Sequence, residues 1–136
     1  MAEFRDLSAV VAEAIAALEI GGTDEYPLTE GRLVKVLASP RFDSAAYMAM
    51  GLAILPANYT TPAHSHEAEE IALVLQGSGV IDVAGVSVPV SEGSVVVAPP
   101  NASHTTSAGP DGPLVVYWTY GPAGSEDRWL TSGASR

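Results

Sequence analysis

The chain has 136 residues, the size of one domain around one hydrophobic core. Its 47% hydrophobic and 16% charged residues make it too apolar for a disordered segment. Six Lys and Arg against sixteen Asp and Glu leave a formal charge of −10, which repels phosphate backbones and anionic lipid, so no nucleic-acid or membrane partner is expected. With no cysteine there is no disulfide, no thiolate metal site and no cysteine nucleophile.

At the N-terminus Glu3, Arg5 and Asp6 are mixed in sign and Glu13 interrupts the apolar stretch, unlike a signal peptide. No apolar run approaches the roughly 18 residues of a membrane span, so a soluble, cytoplasmic protein is expected. Phe4, Leu7, Val10, Val11, Ala14, Ile15 and Leu18 recur at three- and four-residue steps. They predict a helix over residues 3–20, stopped by Gly21-Gly22. Its apolar stripe must pack on the domain or on a second copy. A single helix cannot form a helix-turn-helix DNA reader.

From residue 32 the pattern changes to short strands. Leu33 to Leu37, Ala45 to Leu55, Ile71 to Leu75, Val80 to Val83, Val86 to Val90, Ser94 to Ala98 and Leu114 to Tyr120 are apolar or β-rich. Gly77-Ser78-Gly79, Ala84-Gly85, Ser91-Glu92-Gly93, Pro99-Pro100-Asn101 and residues 108–112 supply turns between them. Strands at this spacing predict an all-β sandwich or barrel. Gly, Ser and charge dominate after Tyr120. The expected organisation is one domain: the helix at 3–20, a barrel over about 32–122 and a flexible tail at 123–136.

The three histidines carry the chemistry. His64 and His66 flank Ser65, so in extended chain both imidazoles face the same way. Glu70 lies four residues beyond His66, and His104 follows the Pro99-Pro100-Asn101 turn. Three imidazoles and one carboxylate suit one divalent transition ion: Fe, Mn, Zn, Ni, Co or Cu.

These residues resemble the cupin superfamily, whose first motif is G-x5-H-x-H-x3,4-E-x6-G; here it reads His64-x-His66-x3-Glu70-x6-Gly77. The second motif, G-x5-P-x-G-x2-H-x3-N, is matched by Gly93-x5-Pro99 and by His104 at the required distance. Asn58 stands where the first glycine belongs, Asn101 replaces the turn glycine, and Ala108 replaces the final asparagine. Asparagine readily takes the left-handed conformation of a turn glycine, so Asn101 is a mild change, and no departure removes a ligand. The resemblance implies a double-stranded β-helix (jelly-roll) barrel with one N-terminal helix, and a metal held by His64, His66, Glu70 and His104. Among Glu67, Glu69 and Glu70 it selects Glu70, six residues ahead of Gly77. Alternation then turns Glu70, Ala72 and Val74 inward and Glu69 outward.

No Lys or Arg occurs between Arg41 and Arg128, so the motif-bearing barrel has no fixed cation of its own. That disfavours phosphosugars and dicarboxylates, which need Arg or Lys for a second negative charge. A neutral or singly acidic substrate fits better: an enolisable ketone, a phenol or a monocarboxylate. Arg32, Lys35 or Arg41 could still fold over the mouth. Tyr47, Met48, Met50, Tyr117, Trp118 and Tyr120 are candidates to line an apolar pocket, with the register open. Gln76, Asn101 and Thr106 could orient ligands or serve turns and surface. Glu69 at the mouth and Tyr47 are the candidate catalytic proton carriers.

The resemblance implies a metalloenzyme, either a dioxygenase or a non-redox isomerase, cyclase or lyase. The alternative is a non-catalytic module that binds a small ligand. A homodimer is expected, as is common for stand-alone cupins.

Overall fold

The structure, a computed structural model, describes residues 4–131. Helix α1 (Leu7–Glu19) starts at Asp6, whose side chain accepts a hydrogen bond from the Ala9 N–H at 3.2 Å. It ends where the Gly22 N–H donates to the Ala17 carbonyl at 2.8 Å, with Gly21 and Gly22 both at positive φ. The helix is shorter than the predicted 3–20. Asp6 caps it, and Phe4, placed on its apolar stripe, lies outside and is exposed.

Nine strands follow among the described residues. They are β1 (Leu28–Thr29), β2 (Arg32–Ala38), β3 (Ala49–Leu55), β4 (Glu69–Gln76), β5 (Ser78–Val83), β6 (Val86–Ser91), β7 (Val95–Ala98), β8 (His104–Ala108) and β9 (Leu114–Gly121). All pair antiparallel, in a six-stranded sheet of order β1-β2-β3-β9-β4-β7 and a three-stranded sheet of order β6-β5-β8. The fold is the all-β barrel that the strand pattern and the motifs predict, with the helix laid on its outside.

Period-two alternation gives the large sheet two different faces. Leu33, Leu37, Leu52, Ile54 and Val115 point outward and bury against Ala14 and Ala17 of α1. The intervening residues point inward. Leu55, Ala72, Val74, Leu114 and Val116 pack with Ile81 and Val90 of the small sheet, while Val34, Val36, Trp118 and Tyr120 form a neighbouring interior cluster. The helix therefore covers its own barrel. Gly51 is required inside: a Cβ there would collide with the Trp118 ring and the Lys35 carbonyl.

Two predicted boundaries change. Ala45 to Met48 do not continue β3, because the chain turns at Ser39, whose N–H donates to the Asp43 carboxylate at 3.2 Å. The predicted tail carries a second helix, α2 (Asp127–Thr131), that docks on the barrel through a buried Trp129. Buried Glu126 fastens it, accepting from the Ser39 hydroxyl and the Gly124 N–H, each at 2.5 Å. Those bonds, made 87 residues apart in the first case, leave no local signal in a Gly- and Ser-rich sequence. Residues 132–136 of that tail lie outside the described residues. No helix among the described residues is long and apolar enough to cross a membrane.

Candidate metal centre

His64 and His66 lie on the segment between β3 and β4, and His104 is the first residue of β8. That segment is strapped along β8. Thr61 N–H donates to the Thr106 carbonyl at 2.9 Å, Thr106 N–H returns to the Thr61 hydroxyl at 3.0 Å, and His64 and His104 exchange backbone hydrogen bonds at 3.2 and 2.9 Å. Asn101 takes φ +63° and gives its N–H to the His66 carbonyl at 2.8 Å. The left-handed turn before β8 thus ties the third histidine to the second. Asn58 is also left-handed, at φ +66°. At both positions where the motif has glycine, asparagine supplies the same backbone geometry.

One ring nitrogen of each histidine lies within 4.8 Å of the other two. The Nδ1 atoms contact backbone carbonyls: His64 with Pro62 at 3.0 Å, His66 with Ala68 at 2.8 Å, and His104 with Ala102 at 3.0 Å. A carbonyl can only accept, so each Nδ1 carries the proton and each neutral ring offers its Nε2 lone pair. The Nε2 atoms of His66 and His104 are buried with no hydrogen-bond partner. Buried nitrogens arranged this way fit a metal ion, with the carbonyls fixing tautomer and ring orientation from behind.

Glu70, near the start of β4, points inward, its Oε1 3.3 Å from His66 Nε2 and 3.8 Å from His104 Nε2. Donors about 2.1 Å from one shared ion stand roughly 3–4 Å from each other, so Glu70 Oε1 lies at such a separation from His66 and His104, while the compact metal-capable group is the three histidines alone. Burial holds His64 down at about 4, against the pull of its hydrogen bond to Pro62. Burial also works against a charged His66, but the adjacent Glu70 carboxylate outweighs it and raises that imidazole. Burial, reinforced by the Glu70 charge, pushes the Tyr120 hydroxyl upward and keeps it protonated. Trp129 Nε1 donates to that hydroxyl at 2.8 Å.

A small cavity of about 40 Å³ is lined by His64, Glu70, His104, Trp118, Tyr120, Trp129 and Arg32. At about 10–15 Å³ for each water held, the space takes only a few non-hydrogen atoms. Of the β9 aromatics, Trp118 and Tyr120 face inward, whereas Tyr117 packs toward α1 with Met50, to whose sulfur it donates at 3.1 Å. Thr106 lines the cavity, and Asn101 acts through its backbone at the turn; Gln76 is exposed at the far end of β4.

Neither residue named as a proton carrier joins this cavity. Tyr47 is 82% exposed on the loop before β3, because the strand begins only at Ala49. Glu69 is exposed because alternation turns it away from Glu70. Sequence reading missed Trp129, the lone aromatic of the presumed tail, and left Arg32 as one of three cations that could fold over the mouth; its strand parity with inward Val34 and Val36 could have singled it out. The barrel interior therefore holds a fixed cation after all, supplied from outside the cation-free stretch.

Comparison with known proteins agrees with this architecture. The chain is 33% identical over 70 residues to the dimethylsulfoniopropionate lyase DddW of Ruegeria pomeroyi, a match covering 52% of this chain and 46% of that protein. The chain thus spans less than half the length of that curated relative. Among solved structures it is similar to the plu4264 protein of Photorhabdus luminescens, with TM-score 0.68, 18% identity and coverage of 96% and 97% of the two chains. A conserved barrel domain protein of Salinispora arenicola gives TM-score 0.66 at 19% identity, covering 96% and 98%. Residues 51–120, from β3 through both motifs to β9, match the cupin domain family. The chain belongs to the cupin family.

Proposed function

We propose that this protein is a metal-dependent enzyme acting on a small neutral or singly acidic molecule: an enolisable ketone, a phenol or a monocarboxylate. His64, His66, Glu70 and His104 would hold one divalent transition ion. When bound, that ion supplies Lewis acidity and coordination positions left open for a substrate oxygen. The chain supplies the rest. The carbonyls of Pro62, Ala68 and Ala102 hold the imidazoles in one tautomer. Trp118, Trp129, Val34 and Leu55 wall the cavity and limit water. Tyr120 keeps its proton beside Glu70 and offers a hydrogen bond to a substrate oxygen.

The observation that carries this reading is the pair of buried Nε2 atoms of His66 and His104 that have no hydrogen-bond partner, at a small cavity lined by His64, Glu70 and His104. Both a dioxygenase and a non-redox isomerase, cyclase or lyase suit such a set. The similarity to a protein named as a lyase favours the non-redox branch. Elemental analysis of protein purified without added metal, followed by turnover and oxygen uptake with small carboxylates and enolic compounds, tests it. About one metal per chain with elimination or isomerisation and no oxygen uptake is expected. Metal without turnover of any compound would leave a binding module, and absence of metal binding would overturn the assignment.

A further inference from the structure

Arg32 is the most unusual buried group in the barrel. It opens β2, is 1% exposed, and lines the same cavity as His64, Glu70 and His104. An arginine stays charged under all physiological conditions, so its burial is costly unless the guanidinium is fully paired. Here it is paired only in part. Nη1 donates to the Tyr59 hydroxyl at 3.1 Å and lies 3.6 Å from Glu30 Oε2, whose side chain is 56% exposed. The guanidinium sits 4.8 Å from the Trp129 ring. Nη2 is buried and has no hydrogen-bond partner. A purely structural arginine would use both terminal nitrogens of its planar fork, and this one leaves Nη2 unused.

Trp129 joins the two ends of the cavity. The ring that carries the guanidinium on one side lies 6.1 Å, centroid to centroid, from the His64 imidazole, and its Nε1 donates to Tyr120. A positive fork therefore stands one indole away from the histidine cluster, across a space that takes only a few atoms.

We propose that Arg32 is the carboxylate-binding group of this cavity, and that the substrate is a small monocarboxylate. Its carboxylate pairs with Nη2 of the guanidinium while its other end reaches the histidines. This proposal rests on the functional reading above and narrows its substrate class to the acidic member. Arg32 is the only Lys or Arg lining the cavity among the described residues, with Arg128 outside the lining on the same Trp129 ring, so the cavity wall itself offers one guanidinium for one carboxylate. Pairing with a planar carboxylate satisfies the unused N–H donors in the geometry that guanidinium favours.

The test titrates the full-length protein with acetate, propionate and butyrate, each against its primary amide. The indole N–H signals of Trp118 and Trp129 are followed by NMR, and the metal content of each sample is measured. The acid and the amide match in size and differ in charge. The expected result is a saturable shift of the Trp129 signal with the acids and about tenfold or weaker binding of the amides. Arg32→Met should weaken acid binding by a similar factor at unchanged metal content, with Arg32→Lys intermediate. Amides binding as well as acids, or acids binding Arg32→Met as well as the parent, would overturn the proposal. The acid-to-amide comparison is repeated on metal-free protein, where a preference for the acid reads the guanidinium and not an ion, so it decides the matter even if Arg32→Met fails to fold. Acid binding through Arg32 in protein that takes up no metal would sink the metalloenzyme reading and leave this one standing. Full metal content with no acid preference would do the reverse.

Discussion

The two faces of the six-stranded sheet are built from the same strands and do opposite things. Outward residues of β2, β3 and β9 meet α1 through apolar side chains, among them Leu33, Leu52, Ile54 and Val115. One residue along on β2, the inward face places Arg32 in a cavity with Glu70 and His104. Burial of the first face stabilises the fold by roughly 25 cal/mol per Å² of apolar surface. The second face keeps Arg32 Nη2, His66 Nε2 and His104 Nε2 buried and unpartnered, at a cost of about 1–3 kcal/mol for each such group. A strand thus separates stability from chemistry by parity: a slip of one residue would exchange the two faces.

Substitutions on each face should separate stability from metal binding. The largest effect belongs to His104→Ala, which should lower bound metal from about one per chain to well below that, read by elemental analysis. Its metal-free stability should change by no more than about 1–3 kcal/mol, because removal of the unpaired Nε2 offsets the lost Nδ1–H bond to Ala102 and the space the ring leaves. Leu52→Ala, on the opposite face, should cost about 2–5 kcal/mol in chemical denaturation while metal stoichiometry stays unchanged. If His104→Ala unfolds the protein, or Leu52→Ala loses the metal, the two faces are not independent. A smaller effect sharpens the role of the turn: Asn101→Ala should cost about 1–2 kcal/mol at φ +63°, whereas Asn101→Gly should stay within about 1 kcal/mol. Smallest of all, Glu69→Gln and Tyr47→Phe should leave both metal content and stability within about 0.5 kcal/mol of the parent.

Much of this division could be read before any coordinates. The motif spacing marked His64, His66, Glu70 and His104, and strand alternation separated Glu70 from Glu69. Asn101 could be recognised as a stand-in for glycine because the left-handed conformation is a property of the residue itself, and the structure adds Asn58 as a second. What stayed hidden depends on distant contacts. Arg32 becomes a cavity residue only once β2 lies beside β3 and Trp129 folds over it, and α2 is held by a bond from Glu126 to Ser39 across 87 residues. Tyr47 was misplaced because an apolar run reads as strand, while the Asp43 carboxylate turns the chain and delays β3 to Ala49.

The central claim is that three imidazoles share one tautomer and present their Nε2 atoms to one ion. It is tested most directly by nitrogen-15 NMR of the histidine rings, at a pH above the imidazole range, during titration with zinc. The structure predicts protons on Nδ1 in His64, His66 and His104, and a simultaneous shift of all three Nε2 signals that is complete at one equivalent. Protons on Nε2, or zinc that leaves any of the three rings unmoved, would contradict it.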